Sequence, residues 1–155
     1  MIEHVSTRLC AMSTNSHKEK VLFVCTHNSA RSQMAEGFLR ELYGKNFDAY
    51  SAGTHPSRVS PSAIEVMKEE NIDLSHHTSK SIDRFREMWF DYVITVCDDA
   101  RETCPVFPHG KEFLHKRFED PTQGTGNKED KRVLFRRVRD EIRSWIVQTF
   151  GQNRA

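Results

Sequence analysis

Cys25 and Arg31 sit in the stretch Val21-Leu-Phe-Val-Cys-Thr-His-Asn-Ser-Ala-Arg-Ser32, a spacing that suits holding and attacking a tetrahedral oxyanion. A short apolar run, Val21 to Val24, ends in Cys25. Thr26, His27, Asn28, Ser29 and Ala30 then lead into Arg31, Ser32 and a helical pattern. A buried strand that opens through a tight loop into a helix gathers backbone N–H groups around one point. Those groups and the positive end of the helix dipole favour an anion there. A thiol on the floor of such a loop ionises readily in the positive potential. Arg31 adds a rigid charged fork matched to two oxygens of one anion, and Ser32 can donate a hydrogen bond to the thiolate. Taken singly, Cys25 would read as an inert buried thiol. With Arg31 and Ser32 at this spacing, it reads as a nucleophile beneath an oxyanion cradled by residues 26–31.

The second constellation is Cys97-Asp-Asp-Ala-Arg-Glu-Thr-Cys104-Pro105. Asp98 and Asp99 suit a helix start and Pro105 its end. On one helix the two cysteines would lie about 10.5 Å apart along the axis, whereas a disulfide needs Cα atoms within roughly 7 Å. Joining them requires the intervening turns to unwind, so the spacing predicts a redox-coupled conformational change. Two other readings stand beside it. The pair could be inert apolar thiols, or part of a metal site with His109 and His115, although no close ligand pair has zinc-like spacing; no metal is expected. Asp120-Pro121 reads either as a general acid for a leaving oxygen or as an ordinary turn. None of the eight histidines is assigned to catalysis. His27 would shape the field of the loop, and His76 and His77 read as linker residues or caps.

Strands and helices that would position these groups alternate from Lys20 onward. Residues 21–25 are expected as a strand and 30–44 as a helix, with Met34, Phe38, Leu39 and Leu42 on one apolar stripe. Residues 46–51 form a second strand. Ser60 caps a helix with Pro61 in its first turn, stopping near Asn71, and a short helix is expected over 83–88. Residues 92–96 make the clearest buried strand and 112–118 a weaker one. A long helix over 129–150 carries Leu134, Val138, Ile142, Trp145 and Ile146 on one face. Such alternation implies an α/β fold with a parallel sheet covered on both faces and ligands beyond the carboxyl ends of the strands. Cys25 and Cys97 both end strands, so topology places both sulfurs on one sheet edge, and Asp120 follows the last strand to that edge.

The length of 155 residues suits one domain, here residues 19–155, preceded by a polar, aperiodic extension over 1–18 in which Cys10 is incidental. A formal net charge of +1 gives no whole-molecule field toward nucleic acid or membrane. The run Arg136-Arg137-Val-Arg139 reads as the wet face of a helix. No apolar stretch reaches spanning length and residues 1–20 lack a signal-peptide centre, so a cytoplasmic monomer is expected. Four cysteines in that compartment argue for redox or nucleophilic chemistry rather than a disulfide framework.

Cys25-Thr-His-Asn-Ser-Ala-Arg-Ser32, with Met34-Ala-Glu36 behind it, resembles the arsenate reductases built on the low-molecular-weight tyrosine phosphatase scaffold. The resemblance continues through Ser51-Ala-Gly53, His77-Thr-Ser79, Val96-Cys-Asp98, Cys104-Pro105, Asp120-Pro121 and Phe135-Arg-Arg-Val-Arg-Asp-Glu-Ile142. It implies a four-stranded parallel sheet flanked by helices and a relay of three cysteines. In that relay Cys25 attacks arsenate held by the loop and Arg31 while Asp120 assists loss of an oxygen. Cys97 then attacks Cys25, releasing arsenite, and Cys104 attacks Cys97 to leave a surface disulfide. Thioredoxin, the external reductant, would reduce it, with no tightly bound cofactor. Some members bind potassium through residues matching Asn28, Glu36, Ser51 and a linker aspartate. Here the linker position is Lys80, whose ammonium would replace the cation. Two other functions remain open. One is a phosphatase for phosphotyrosine or small phosphomonoesters, though Thr122, Gln123 and Gly124 supply no aromatic wall after Asp120-Pro121. The other is a non-enzymatic redox switch or oxyanion sensor.

Overall fold

The computed structural model describes residues 17–98 and 110–152 of the chain. Cys10, Asp99, Cys104, His109 and the segment expected to be helical after Asp98 lie outside the described residues. The first strand, β1 (Glu19–Cys25), is buried from Val21 to Cys25. It pairs in parallel with β2 (Phe47–Gly53) on one side and β3 (Phe90–Thr95) on the other. The edge strand β4 (Gly110–His115) pairs in parallel with β3, giving the order β2-β1-β3-β4. A strand flanked on both faces and both edges has no contact with water, which is why its sequence is a continuous apolar run.

Helix α1 (Arg31–Tyr43) begins directly after the cysteine loop, and α2 (Pro61–Lys68) begins at Ser60, whose Oγ accepts from Ala63 N (3.4 Å). The long α3 (Lys128–Phe150) opens with a reciprocal capping box between Asn127 and Asp130. Its Phe150 packs edge to face on Phe23, Phe47 and Trp145, with ring centroids 5.0–6.3 Å apart. On the opposite face of the sheet, Tyr50 meets Phe85 and Phe90 in the same manner.

Several elements depart from the expected bounds. Of the apolar stripe assigned to α1, Met34, Phe38 and Leu39 are buried but Leu42 is 37% exposed. The short helix after the linker is one 3₁₀ turn, Ile82–Phe85, capped by Ser81. Strand β4 starts earlier and ends earlier than its apolar pattern suggests. Even so, Lys116 N still bonds Thr95 O (2.9 Å) and Phe118 N bonds Val96 O (3.1 Å), so the backbone follows β3 to its end.

Helix α3 is fastened to the end of α2 by charge. Arg136 grips the Glu69 carboxylate with Nε (3.0 Å) and Nη2 (2.8 Å), and Arg139 Nη1 adds a third bond (2.8 Å). These bonds, Arg136's first, hold Glu69 down to about 2. The unfolded chain therefore takes up this proton before the native state does. The contribution is complete above the ordinary carboxylate range and is lost as pH falls toward 2. Glu69→Gln is expected to lower stability at neutral pH and to flatten that acid limb, as read from urea unfolding across the range.

Candidate active site

Peptide geometry builds the cradle. The carbonyls of five consecutive residues, Cys25 to Ser29, accept bonds from outside the loop. Their donors are Thr54 N (3.2 Å), His55 N (2.7 Å), Ser57 N (3.1 Å) with Ser79 Oγ (2.7 Å), Gln33 Nε2 (3.2 Å) and Ser60 N (2.9 Å), in that order. Every one of these peptides is trans, and in a trans peptide the carbonyl of one residue points opposite to the N–H of the next. Turning five carbonyls outward turns the N–H groups of Thr26, His27, Asn28, Ser29 and Ala30 inward. Ala30 occupies the N-cap of α1 with no side-chain cap, and no acidic residue lies in the first turn. The start of the helix is therefore left for an external anion.

Cys25 lies at the floor, 2% exposed, with its sulfur 2.9 Å from Ser32 Oγ. Asn28 Nδ2 donates to that Oγ (2.8 Å), so the Ser32 hydroxyl proton is directed at the sulfur. Asn28 holds a left-handed backbone, φ 50°, which asparagine tolerates better than most residues. Its side chain is also used fully, since Oδ1 accepts from Lys80 N (2.9 Å) and Gln33 Nε2 (3.0 Å).

Arg31 places its fork over the cradle. Nη1 donates to Phe118 O (3.3 Å) and Nη2 lies 3.4 Å from Asp120 Oδ2. Asp120 is steadied in turn by Thr122 N (3.0 Å) and Thr122 Oγ1 (2.7 Å) on its other oxygen. A cavity of about 150 Å³ is lined by Cys25, Ala30, Arg31 and Asp120, among others. Beside it, an opening of about 380 Å³ is lined by Thr26, Arg31, Cys97, Asp98 and Asp120, among others. Cys97 is 3% exposed and its sulfur stands 3.4 Å from Thr26 Oγ1, the residue that follows Cys25. The structure thus brings Cys25, Thr26, Arg31, Ser32, Cys97 and Asp120 to one sheet edge. Exposed His27 turns aside to bond His55 O through Nδ1 (2.9 Å).

The Lys80 group also assembles. Lys80 Nζ donates to Thr78 O (2.8 Å) and lies 3.9 Å from Glu36 Oε1, which accepts from Ser51 Oγ (2.6 Å). Burial lowers the Lys80 pKa, against the pull of Glu36. Gln33 and His77, the latter expected as a linker residue or cap, join this group to Cys25. His77, its side chain 5% exposed, contacts Gln33 Oε1 through Nδ1 (2.9 Å), and its Nε2 lies 3.2 Å from Arg40 Nη1. The amide oxygen needs Nδ1–H and the guanidinium needs an acceptor at Nε2, so the ring is neutral. Burial holds its pKa below the ordinary value, against the attraction of Glu36. A chain of hydrogen bonds runs from His77 through Gln33, Asn28 and Ser32 to Cys25. Gln33 was legible only as a polar residue on an apolar face of α1.

The family described as low molecular weight phosphotyrosine protein phosphatase matches residues 20–152. The chain is a member of that family. An arsenate reductase of Halalkalibacterium halodurans is 44% identical to it over 136 residues, covering 88% of this chain and 97% of the relative. Among solved structures, an arsenate reductase in oxidized state superposes with TM-score 0.74 at 33% identity, covering 86% of this chain and 98% of the other. An arsenate reductase in the phosphate binding state gives TM-score 0.67 at 35% identity, covering 84% and 98%. This phosphatase-family fold depends on a close approach that the family resemblance at Ser51-Ala-Gly53 did not explain. A Cβ on Gly53 would lie 2.7 Å from Thr26 O and 2.9 Å from Asn28 N, both backbone atoms of the cradle. Gly53→Ala is therefore expected to cost about 1–3 kcal/mol in urea unfolding and to weaken phosphate binding measured by calorimetry.

Proposed function

We propose that this chain reduces arsenate to arsenite through thiol–disulfide exchange. The observation that carries the reading is the second thiol, Cys97, seated against the residue next to the nucleophile. Hydrolysis of a phosphoenzyme needs water at that place and has no use for a thiol there. The names of the similar proteins support the same substrate.

Arsenate enters the cradle with its oxygens on the inward N–H groups and Arg31. The Cys25 thiolate displaces one oxygen, and Asp120 protonates it as it leaves. Cys97 then bonds to the Cys25 sulfur. The sulfur–arsenic bond breaks with its pair retained by arsenic, so As(V) becomes As(III) while the two sulfurs join. Phosphorus(V) does not accept that pair, which leaves phosphate a competitor rather than a substrate for reduction. Cys104 next attacks Cys97, and thioredoxin reduces the resulting disulfide. In this reading Lys80 supplies, beside Glu36 and Ser51, the positive charge that a potassium ion supplies in some members of the family.

A second reading keeps the family's hydrolytic activity, since the cradle serves any tetrahedral oxyanion. The residues after Asp120-Pro121 are Thr122, Gln123 and Gly124, which give a phosphotyrosine ring no aromatic wall. Activity toward phosphate esters is therefore expected to be weak.

Arsenate-dependent NADPH oxidation with thioredoxin and thioredoxin reductase is expected for the parent protein. It should fall to background in Cys25→Ser, Cys97→Ser and Cys104→Ser, and by about 10²–10⁴-fold in Asp120→Asn. Cleavage of a chromogenic phosphate ester should be lost only in Cys25→Ser among the cysteine variants. Retained reduction in Cys97→Ser would remove the relay, and absence of turnover under reducing conditions would favour a switch or sensor. Replacing sodium by potassium is expected to change neither turnover nor Tm in the parent, whereas Lys80→Ala should acquire a potassium response in both.

A further inference from the structure

Cys97 lies one residue past the end of sheet pairing, where Val96 N donates to Val24 O (2.9 Å). Its neighbour Asp98, though exposed, is held by two partners. Oδ1 accepts from His115 Nε2 (3.0 Å) and Oδ2 from Arg117 Nε (2.9 Å), while His115 Nδ1 meets Thr95 Oγ1 (2.8 Å). Both donors stand on a rigid stretch. Thr95 and His115 are register partners in the β3–β4 pairing, and Lys116 N and Phe118 N continue to bond β3 and Val96. Phe118 O, in the same stretch, holds Arg31. Residues 115–118 therefore grip the arginine of the oxyanion site at one end and the neighbour of the second thiol at the other.

We propose that Asp98 is a positioning residue for the thiol exchange. Clasped by His115 and Arg117, it holds Cys97 against Thr26, the residue next to Cys25. The assignment rests on the relay reading above. In the step concerned, Cys97 gives its proton to water and bonds to Cys25 Sγ. The sulfur–arsenic bond breaks with both electrons left on arsenic, which is reduced by two electrons as the two sulfurs are oxidised. Attacking sulfur, attacked sulfur and leaving arsenic must align, so a backbone released from its sheet has to be held by other means. A carboxylate offers one acceptor oxygen to each of the two donors. An amide cannot, because one of its ends is itself a donor.

Single-turnover release of arsenite by the full-length chain in a Cys104→Ser background follows the reaction through this step and no further, since exchange stops there at the Cys25–Cys97 disulfide. Asp98→Asn is expected to slow release about tenfold or more, the scale of a lost charge-assisted hydrogen bond. The arsenate concentration for half-saturation should stay unchanged. Asp98→Glu, which keeps both acceptor oxygens, should recover part of the rate. His115→Gln should slow release too, and added to Asp98→Asn it should cost nothing further. Equal rates in Asp98→Asn and its parent, full additivity of the two substitutions, or a raised half-saturation point would each overturn the clasp. A Cys104→Ser parent that releases no arsenite, with Cys25 and Cys97 still reduced after arsenate is added, would overturn the relay reading instead.

Discussion

Five carbonyls in succession find their donors outside the loop that follows β1, and a planar trans peptide leaves their amide protons only one direction to face. The rest of the site is arranged around that constraint. Strand β2 must approach closely enough for its end and the turn beyond to supply Thr54, His55 and Ser57 as donors, which is why a glycine stands opposite Cys25 in the register. The linker must return with Ser79, and α2 must start where Ser60 N reaches Ser29 O. With Gln33 of α1, four separate parts of the chain therefore close around one loop. No single element of the fold can form the anion site alone.

Asn28 carries the second organising role. Its left-handed backbone turns the loop, and its side chain joins Ser32 on one side to Gln33 and Lys80 on the other. The buried carboxylate of Glu36 and its partners Lys80 and Arg40 consequently stand within a few hydrogen bonds of Cys25. Burying such a group is costly unless every member has a partner. Here Ser51, Thr78, His77 and Ala49 O supply them, and among the described residues no buried side-chain polar atom is left without a partner.

Much of this could be read from the residues because it depends on local order. The apolar run into Cys25 specifies a buried strand, and alternation of strands with helices puts Cys97 and Asp120 at the same edge. Ser60-Pro61 announces the start of a helix by its own chemistry. What stayed hidden depends on distant register. His77 and Gln33 are 44 residues apart, and His115 meets Asp98 only because β3 and β4 align Thr95 with His115. Leu42 fits the helical period of its neighbours, yet periodicity does not say which positions of the stripe the rest of the fold will cover. A histidine in a polar linker likewise gives no sign that folding will bury it as a neutral ring.

The inward amides and the fork of Arg31 are suited to the oxygen atoms of an anion and not to the element those oxygens surround. Phosphate and arsenate present nearly the same four corners, so recognition in this cradle is indifferent to its cargo's centre. In the proposed reaction, any preference between them has to arise after capture, from whether the central atom can take electrons from the sulfur beneath it. If that reaction holds, a cell rich in phosphate would keep such a pocket busy with an inert guest, and the useful chemistry would run in the intervals.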